Sequence, residues 1–64
     1  MHYTKNEFGK SLTVGALTII FTDVHYDIAD EVLDFMNHRG DIVATMVGQD
    51  ATDAYKTIVA EDWE

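Results

Sequence analysis

Apolar and polar residues alternate between positions 8 and 21, and the alternation changes parity once. The apolar positions on the two sides of the change are Phe8, Leu12 and Val14, then Leu17, Ile19 and Phe21. The change falls at Gly15-Ala16, and a glycine at the first central position of a two-residue turn is typical of a type II′ hairpin. The predicted register pairs Val14 with Leu17, Leu12 with Ile19 and Lys10 with Phe21 on one face, and Thr13 with Thr18 on the other.

A second arrangement fits the same pattern. In this alternative, residues 2–8 pair with a long bulged strand over residues 11–22, through a turn at Gly9-Lys10. Residues 1–7 carry little pattern of their own, so we interpret them as a frayed end or a short edge strand.

The segment Tyr26–Gly40 has a period close to that of an α-helix and is predicted to be the central helix of the fold. Its apolar residues recur at helical spacing and predict a buried stripe: Ile28, Val32, Phe35 and Met36. Its acidic residues recur beside them: Asp27, Asp30, Glu31 and Asp34. Asp27 and Asp30 fit a capping box at the N-terminus of the helix, while Arg39 and Gly40 fit its C-terminal end.

The remainder of the chain predicts a third strand and a second helix. Asp41–Val47 alternates with apolar residues on both faces, which favours a central strand or one that packs against another subunit. Asp50 is predicted to cap the second helix. The apolar stripe of that helix is Ala51, Ala54, Tyr55, Ile58 and Val59. Acidic residues at its C-terminal end oppose the helix dipole, so this end is expected to fray unless Trp63 packs.

These elements predict one domain over residues 1–64, in the order β-β-α-β-α. Strands on either side of a helix usually run parallel with a right-handed crossover. The expected fold class is therefore α+β, a two-layer sandwich of a three-stranded mixed sheet with both helices on one face. The other face would expose Thr13 and Thr18 together with three aliphatic residues, which we predict to form a homodimer interface: Ile20, Val43 and Val47.

Net charge is the outstanding global property of the sequence. Twelve acids and four Lys or Arg residues give a formal charge of −8 on 64 residues. No Lys or Arg lies between Lys10 and Arg39, and six acids but one base lie between Asp41 and Glu64. Such a chain repels nucleic acids and anionic membranes and attracts basic surfaces. A solvated surface that maintains solubility, or adaptation to high salt, explains the same composition.

No signature of catalysis, metal binding or secretion is present. The chain has no cysteine, and its three histidines (His2, His25 and His38) are too widely spaced to predict a metal site. Ser11 is the one serine and has no histidine near it in sequence. We expect neither an enzyme nor a cofactor. Residues 1–11 do not resemble a signal peptide, and the run 12–21 is too short to span a membrane, so the expected location is the cytoplasm.

The acidic residues of the predicted helix form a candidate binding surface. Asp27, Glu31 and Asp34 would step about 5–6 Å along a helix that rises 1.5 Å per residue. Asp23 and Asp41 would extend the row at its two ends, and Asp30 adds a further charge. A regular row of negative charges is comparable to the phosphates of a nucleic-acid strand, and it can occupy a basic groove that binds nucleic acid. An ordinary solvated helix face is the alternative interpretation.

In size, acidity, freedom from cysteine and lack of a catalytic motif, the chain resembles small phage-encoded proteins that block host enzymes, among them nucleic-acid mimics. This resemblance concerns the character of the whole chain. It implies a non-enzymatic inhibitor that binds a basic, nucleic-acid-binding host protein in the host cytoplasm. The alternative is a small homodimeric structural or adaptor module whose acidity serves solubility.

Overall fold

Two consecutive three-stranded meanders followed by one helix make up the part of the chain that the structure describes. The structure is a computed structural model that describes residues 1–7 and 9–62. Its elements are β1 (His2–Asn6), β2 (Gly9–Val14), β3 (Leu17–Phe21), β4 (Asp23–Asp27), β5 (Val32–Met36), β6 (Ile42–Val47) and α1 (Gln49–Asp62). Each sheet is antiparallel, with strand orders β1-β2-β3 and β4-β5-β6.

The predicted hairpin at Gly15-Ala16 is confirmed in its register. Strands β2 and β3 pair Val14 with Leu17, Leu12 with Ile19, Lys10 with Phe21 and Thr13 with Thr18. Gly15 has φ +61° whereas Ala16 has no positive φ, which is the pattern of a type II′ turn. The hydroxyls of Thr13 and Thr18 lie 3.2 Å apart on the outer face and form a cross-strand hydrogen bond.

The N-terminal segment forms the edge strand of this first sheet. Residues 2–6 of β1 pair with residues 9–13 of β2, from His2 opposite Thr13 to Asn6 opposite Gly9. The chain therefore uses two tight hairpins in succession, and residues 11–22 do not form one long bulged strand. The predicted place of Phe8 in the apolar pattern lies outside the described residues.

The predicted helix over residues 26–40 is wrong, because this segment forms a β-hairpin and the loop after it. Strands β4 and β5 pair from Asp23 opposite Met36 to Asp27 opposite Val32. Ile28 belonged to the predicted buried stripe, yet its side chain is 80% exposed in the turn between the strands. Leu33 lay outside that stripe, yet its side chain is fully buried.

Local hydrogen bonds account for the misleading capping signal. Oδ1 of Asp27 accepts the N–H groups of Ala29 at 3.0 Å and of Asp30 at 3.3 Å. An aspartate that accepts amides two and three residues ahead serves an Asx turn as well as a helix cap, so the sequence signal is shared by both structures. In the next loop, Oδ1 of Asn37 accepts the N–H groups two and four residues ahead, from Arg39 at 2.9 Å and Asp41 at 3.0 Å.

The predicted strand over residues 41–47 is present as β6, but it does not run parallel to its neighbour. It pairs antiparallel with β5, and the register shifts by one residue at Phe35-Met36. Ala44 and Met46 pack towards the core. The shift leaves Val43 in a bulge and places Ile42 opposite Met36. Strand β6 lies at the edge of its sheet, so its second edge pairs with no other described strand.

The predicted second helix is present as α1, beginning one residue before its predicted cap. Asp50 lies within the first turn, and the carbonyl of Gly48 accepts the N–H of Thr52 at 3.2 Å. The predicted stripe faces the core: Ala51, Ala54 and Ile58 are buried, and Tyr55 and Val59 are half-buried. The predicted packing of Trp63 lies outside the described residues.

The expected α+β two-layer sandwich in the order β-β-α-β-α is therefore wrong, because the described chain is mostly β with a single helix. The inner faces of both sheets and one face of α1 share one core. Its members are Tyr3, Leu12, Ile19, Phe21, Leu33, Phe35, Ala51, Ala54 and Ile58. The ring centroids of Phe21 and Phe35 lie 5.0 Å apart in an edge-to-face contact that joins the two sheets. Among the described residues, no helix is long and apolar enough to cross a membrane.

Candidate acidic face and tyrosine groove

The outer face of the second sheet carries three of the six predicted partner-binding residues, and the loops that flank the sheet carry the other three. In an antiparallel sheet, residues directly opposite one another project from the same face. The inward residues of this sheet pack on the core, so the alternate residues form three outward rows. The rows are Asp27–Val32–Val47, His25–Asp34–Thr45 and Asp23–Met36–Ile42. We define this surface and its flanking loops as the acidic face.

The six predicted carboxylates are distributed along the whole length of the acidic face. Asp23 and Asp41 lie at one end of the sheet, and Asp34 lies at its middle. At the opposite end, Asp27 closes β4, and two more acids follow in the turn: Asp30 and Glu31. The predicted site residues thus lie on one sheet and in the loops that flank it, and the helical row expected for them does not exist.

The spacing of these carboxylates follows from strand geometry. A strand rises about 3.4 Å per residue, so outward positions recur about every 6.8 Å along it. Asp23 and Asp27 are separated by two such steps on β4, and Asp34 lies level with the intervening His25 on the neighbouring strand. The three carboxylates therefore form a staggered row with a regular step along the strand direction. Their relative positions are set by the strand pairing.

Two of the carboxylates are also oriented by hydrogen bonds. Oδ1 of Asp34 accepts the hydroxyl of Thr45 at 3.0 Å, which joins β5 to β6 on the outer side. Oδ1 of Asp23 accepts the N–H of Val24 at 2.9 Å. Both interactions leave the second carboxylate oxygen of each residue available to another donor.

A groove lies at the end of the acidic face, between the β4–β5 turn and the helix. It has a volume of about 400 Å³, and we call it the tyrosine groove. Its lining residues are Tyr26, Ile28, Glu31, Thr52, Tyr55 and Lys56. The rings of Tyr26 and Tyr55 are stacked, with centroids 4.4 Å apart and an angle of 16° between their planes. The hydroxyls of Tyr26 and Thr52 are 3.0 Å apart and hydrogen-bond to each other.

Glu31 has the one positive φ among the described non-glycine residues, at +54°. Residues with a Cβ rarely adopt this left-handed conformation, and it costs on the order of 1–2 kcal/mol. The carbonyl of Glu31 accepts the N–H of Gly48 at 2.8 Å, so the turn is joined by its backbone to the residue before α1. This hydrogen bond holds the two walls of the tyrosine groove together.

Sequence reasoning did not find the tyrosine groove. Tyr55 was assigned to the core stripe of the helix, and Tyr26 was assigned to a helix that does not form. The two rings belong to elements that are separated by two strands along the chain, and no local pattern indicates that they meet. The charges of Glu31 and Lys56 are visible in sequence, but their position on one groove is not.

A second cavity, of about 510 Å³, lies at the other end of the molecule. Its lining residues are Lys5, Asn6, Glu7, Gly9, Lys10, Thr22 and His38. Lys5 and Lys10 are directly opposite each other across the β1–β2 ladder. The described part of the chain contains no group of three or more His, Cys, Asp or Glu residues placed to hold a metal ion.

The predicted dimer residues are exposed but do not share one sheet. Ile20 is 72% exposed on the outer face of the first sheet, whereas Val47 is 65% exposed on the outer face of the second. Val43 is 48% exposed in the bulge of β6. The single apolar face that was expected for them is therefore wrong, because it assumed a single sheet.

Comparison with protein-family models, with curated proteins and with solved structures finds no match to this chain. The resemblance to small phage-encoded inhibitors stays a prediction.

Proposed function

We propose that this protein is a non-enzymatic inhibitor that binds a basic, nucleic-acid-binding protein by presenting the carboxylates of the acidic face in place of phosphates. The observation that carries the proposal is the regular placement of Asp23, Asp27 and Asp34 along one sheet, extended by acids at both of its ends. A groove that binds nucleic acid gains much of its affinity from neutralising rows of phosphates. A row of carboxylates on a fixed ladder offers such a groove the same attraction.

The charge distribution over the chain supports this proposal. Residues 1–21 contain two lysines and one glutamate, whereas residues 22–64 contain eleven acids and two bases. If the acidity served solubility alone, this segregation along the chain would not be required. A field concentrated on one side accelerates association with a basic surface and orients the encounter. In the setting that the resemblance implies, the protein acts in the cytoplasm of the host.

The proposal is tested by capture followed by competition. The immobilised protein is exposed to a bacterial lysate, and retained proteins are eluted first with a salt gradient and then, in a parallel experiment, with duplex DNA. We expect a retained protein that binds nucleic acid, is released by moderate salt and is displaced by DNA. Retained proteins that resist both salt and DNA would contradict phosphate mimicry.

A second candidate function is a homodimeric structural or adaptor module, favoured by the exposed aliphatic residues Ile20, Val43 and Val47. A small domain with exposed apolar side chains on an edge strand gains stability by pairing with a second copy. Sedimentation velocity distinguishes this function. A dimer that Val47→Lys dissociates would favour the adaptor, whereas a monomer at every accessible concentration would exclude it.

A further inference from the structure

The tyrosine groove has the construction of a site for one planar, cationic side chain. The stacked pair formed by Tyr26 and Tyr55 is held by the hydrogen bond to Thr52, so its aromatic surface is fixed before any ligand arrives. Ile28 adds an aliphatic wall that is 80% exposed, although an isoleucine at a turn has no role in the core. Exposed apolar and aromatic surface around a concave site is typical of the pocket that receives an anchoring residue of a partner.

The groove favours a cation over an anion. Glu31 contributes the one carboxylate of the lining, and Lys56 contributes the one ammonium. The faces of the tyrosine rings carry the negative part of the aromatic quadrupole, so they attract a cation as well. Lys56 has a long flexible stem that lets its ammonium move into water, so Glu31 and the rings determine the charge that the groove prefers.

We infer that the tyrosine groove receives an arginine side chain of the basic partner, an inference that rests on the proposed function. A guanidinium is planar and weakly hydrated, so it stacks on aromatic rings and forms paired hydrogen bonds with a carboxylate. In the groove it would lie against the tyrosine rings and donate to Glu31, with its aliphatic stem on Ile28. A lysine ammonium is strongly hydrated and cannot form the same planar contact.

The acidic face and the tyrosine groove would make different contributions to binding. The row of carboxylates along the acidic face attracts any basic chain, whether its charges are lysines or arginines. The groove distinguishes between these two residues, because only the guanidinium matches both the rings and the carboxylate. A preference for arginine that depends on Glu31 is therefore the property that the groove adds.

The test compares deca-arginine with deca-lysine, two peptides of equal length and charge. We expect the protein to bind deca-arginine about five- to tenfold more tightly, which is the order of effect of one stacked, carboxylate-paired guanidinium. Glu31→Gln should reduce this preference to less than about twofold, since the variant keeps the shape of the side chain and removes its charge. Lys56→Gln should strengthen binding of deca-arginine, because it removes the opposing cation.

The matched control is Asp41→Asn, which removes one carboxylate from the far end of the acidic face. It should weaken both peptides alike and preserve the preference for arginine. Backbone amide shifts in NMR spectra provide a second readout, in which deca-arginine perturbs residues 26–31 and 52–56 more strongly than deca-lysine does. A preference that survives Glu31→Gln, or equal affinity for the two peptides, would overturn the inference and leave the proposed function standing. Failure of both peptides to bind would overturn the proposed function and the inference with it.

Discussion

The two meanders of this protein have the same topology and opposite outer surfaces. Each consists of three antiparallel strands whose inner residues enter one shared core. The outer face of the first sheet presents mainly uncharged polar side chains, among them Thr4, Ser11, Thr13 and Thr18. The outer face of the second presents carboxylates at Asp23, Asp27 and Asp34.

The two sheets share a core made by their inward residues, so the fold depends on those residues. The outward residues differ between the sheets and are not required to be alike for folding. If carboxylates were needed for folding or for solubility alone, the two sheets would be expected to share them. Concentration of negative charge on one sheet increases self-repulsion, which reduces the stability of a small domain. Under the proposed function, this difference reflects binding to a basic partner.

The largest effect on the free energy of unfolding is expected in the core that the two sheets share. Phe35 is fully buried and its ring contacts Phe21 of the other sheet edge-to-face. Phe35→Ala should lower the free energy of unfolding by about 3–5 kcal/mol, through lost burial and the cavity left behind. Urea denaturation measures this change. Leu12→Ala provides the matching truncation in the first sheet. A loss below about 1 kcal/mol in Phe35→Ala would mean that the two sheets do not share a core.

A smaller loss of stability is expected from a substitution in the β2–β3 turn of the first sheet. Gly15 has φ +61°, and a Cβ placed there would meet no atom within 4 Å. The cost of Gly15→Val is therefore one of backbone conformation alone, and we expect it to exceed about 1 kcal/mol. Thermal denaturation gives the measurement, and Ala16→Val is the neighbouring control without a positive φ. Equal melting of Gly15→Val and the wild type would contradict the type II′ turn.

The β4–β5 turn of the second sheet should respond in the opposite direction. Glu31 occupies a left-handed conformation that favours glycine. Glu31→Gly should leave the free energy of unfolding unchanged or raise it by up to about 1 kcal/mol, because relief of strain exceeds the entropy lost by glycine. Glu31→Gln retains the strain and should gain nothing of this kind. A loss above about 1 kcal/mol in Glu31→Gly would show that the Glu31 side chain stabilises the fold, and it would weaken its assignment to binding.

Several elements could be predicted from the sequence because their signals are local. The parity change at Gly15-Ala16 determines a register, and the stripe of α1 determines which side of the helix is buried. Residues 26–40 could not be assigned in this way, because their apolar residues satisfy two periods. Ile28, Val32 and Phe35 recur at helical spacing, while Leu33 and Phe35 alternate as a strand requires. Pairing with β4 and β6 decides between them, and that pairing is a tertiary interaction.

The candidate site was predictable in its composition and not in its geometry. Five of the six predicted carboxylates lie in a stretch without Lys or Arg, which is visible in the sequence, and their role in binding stays a proposal. Their arrangement along a sheet depends on the strand pairing that the helical interpretation excluded. The tyrosine groove depends on contact between β4 and α1, so it could not be found before the fold was known.

The central claim is that the acidic face, rather than net charge, is the binding surface, and binding of deca-lysine across a series of salt concentrations tests it most directly. Two triple variants change the net charge equally. One neutralises the acidic face (Asp23→Asn, Asp34→Asn and Asp41→Asn), and the other neutralises the helix (Asp50→Asn, Asp53→Asn and Glu61→Gln). We predict that the first weakens binding about fivefold and flattens the salt dependence, since each of the three exposed ion pairs contributes about 0.3 kcal/mol. The second should remain close to the wild type. Equal losses in the two variants would contradict the account, because they would show that the position of the carboxylates does not matter.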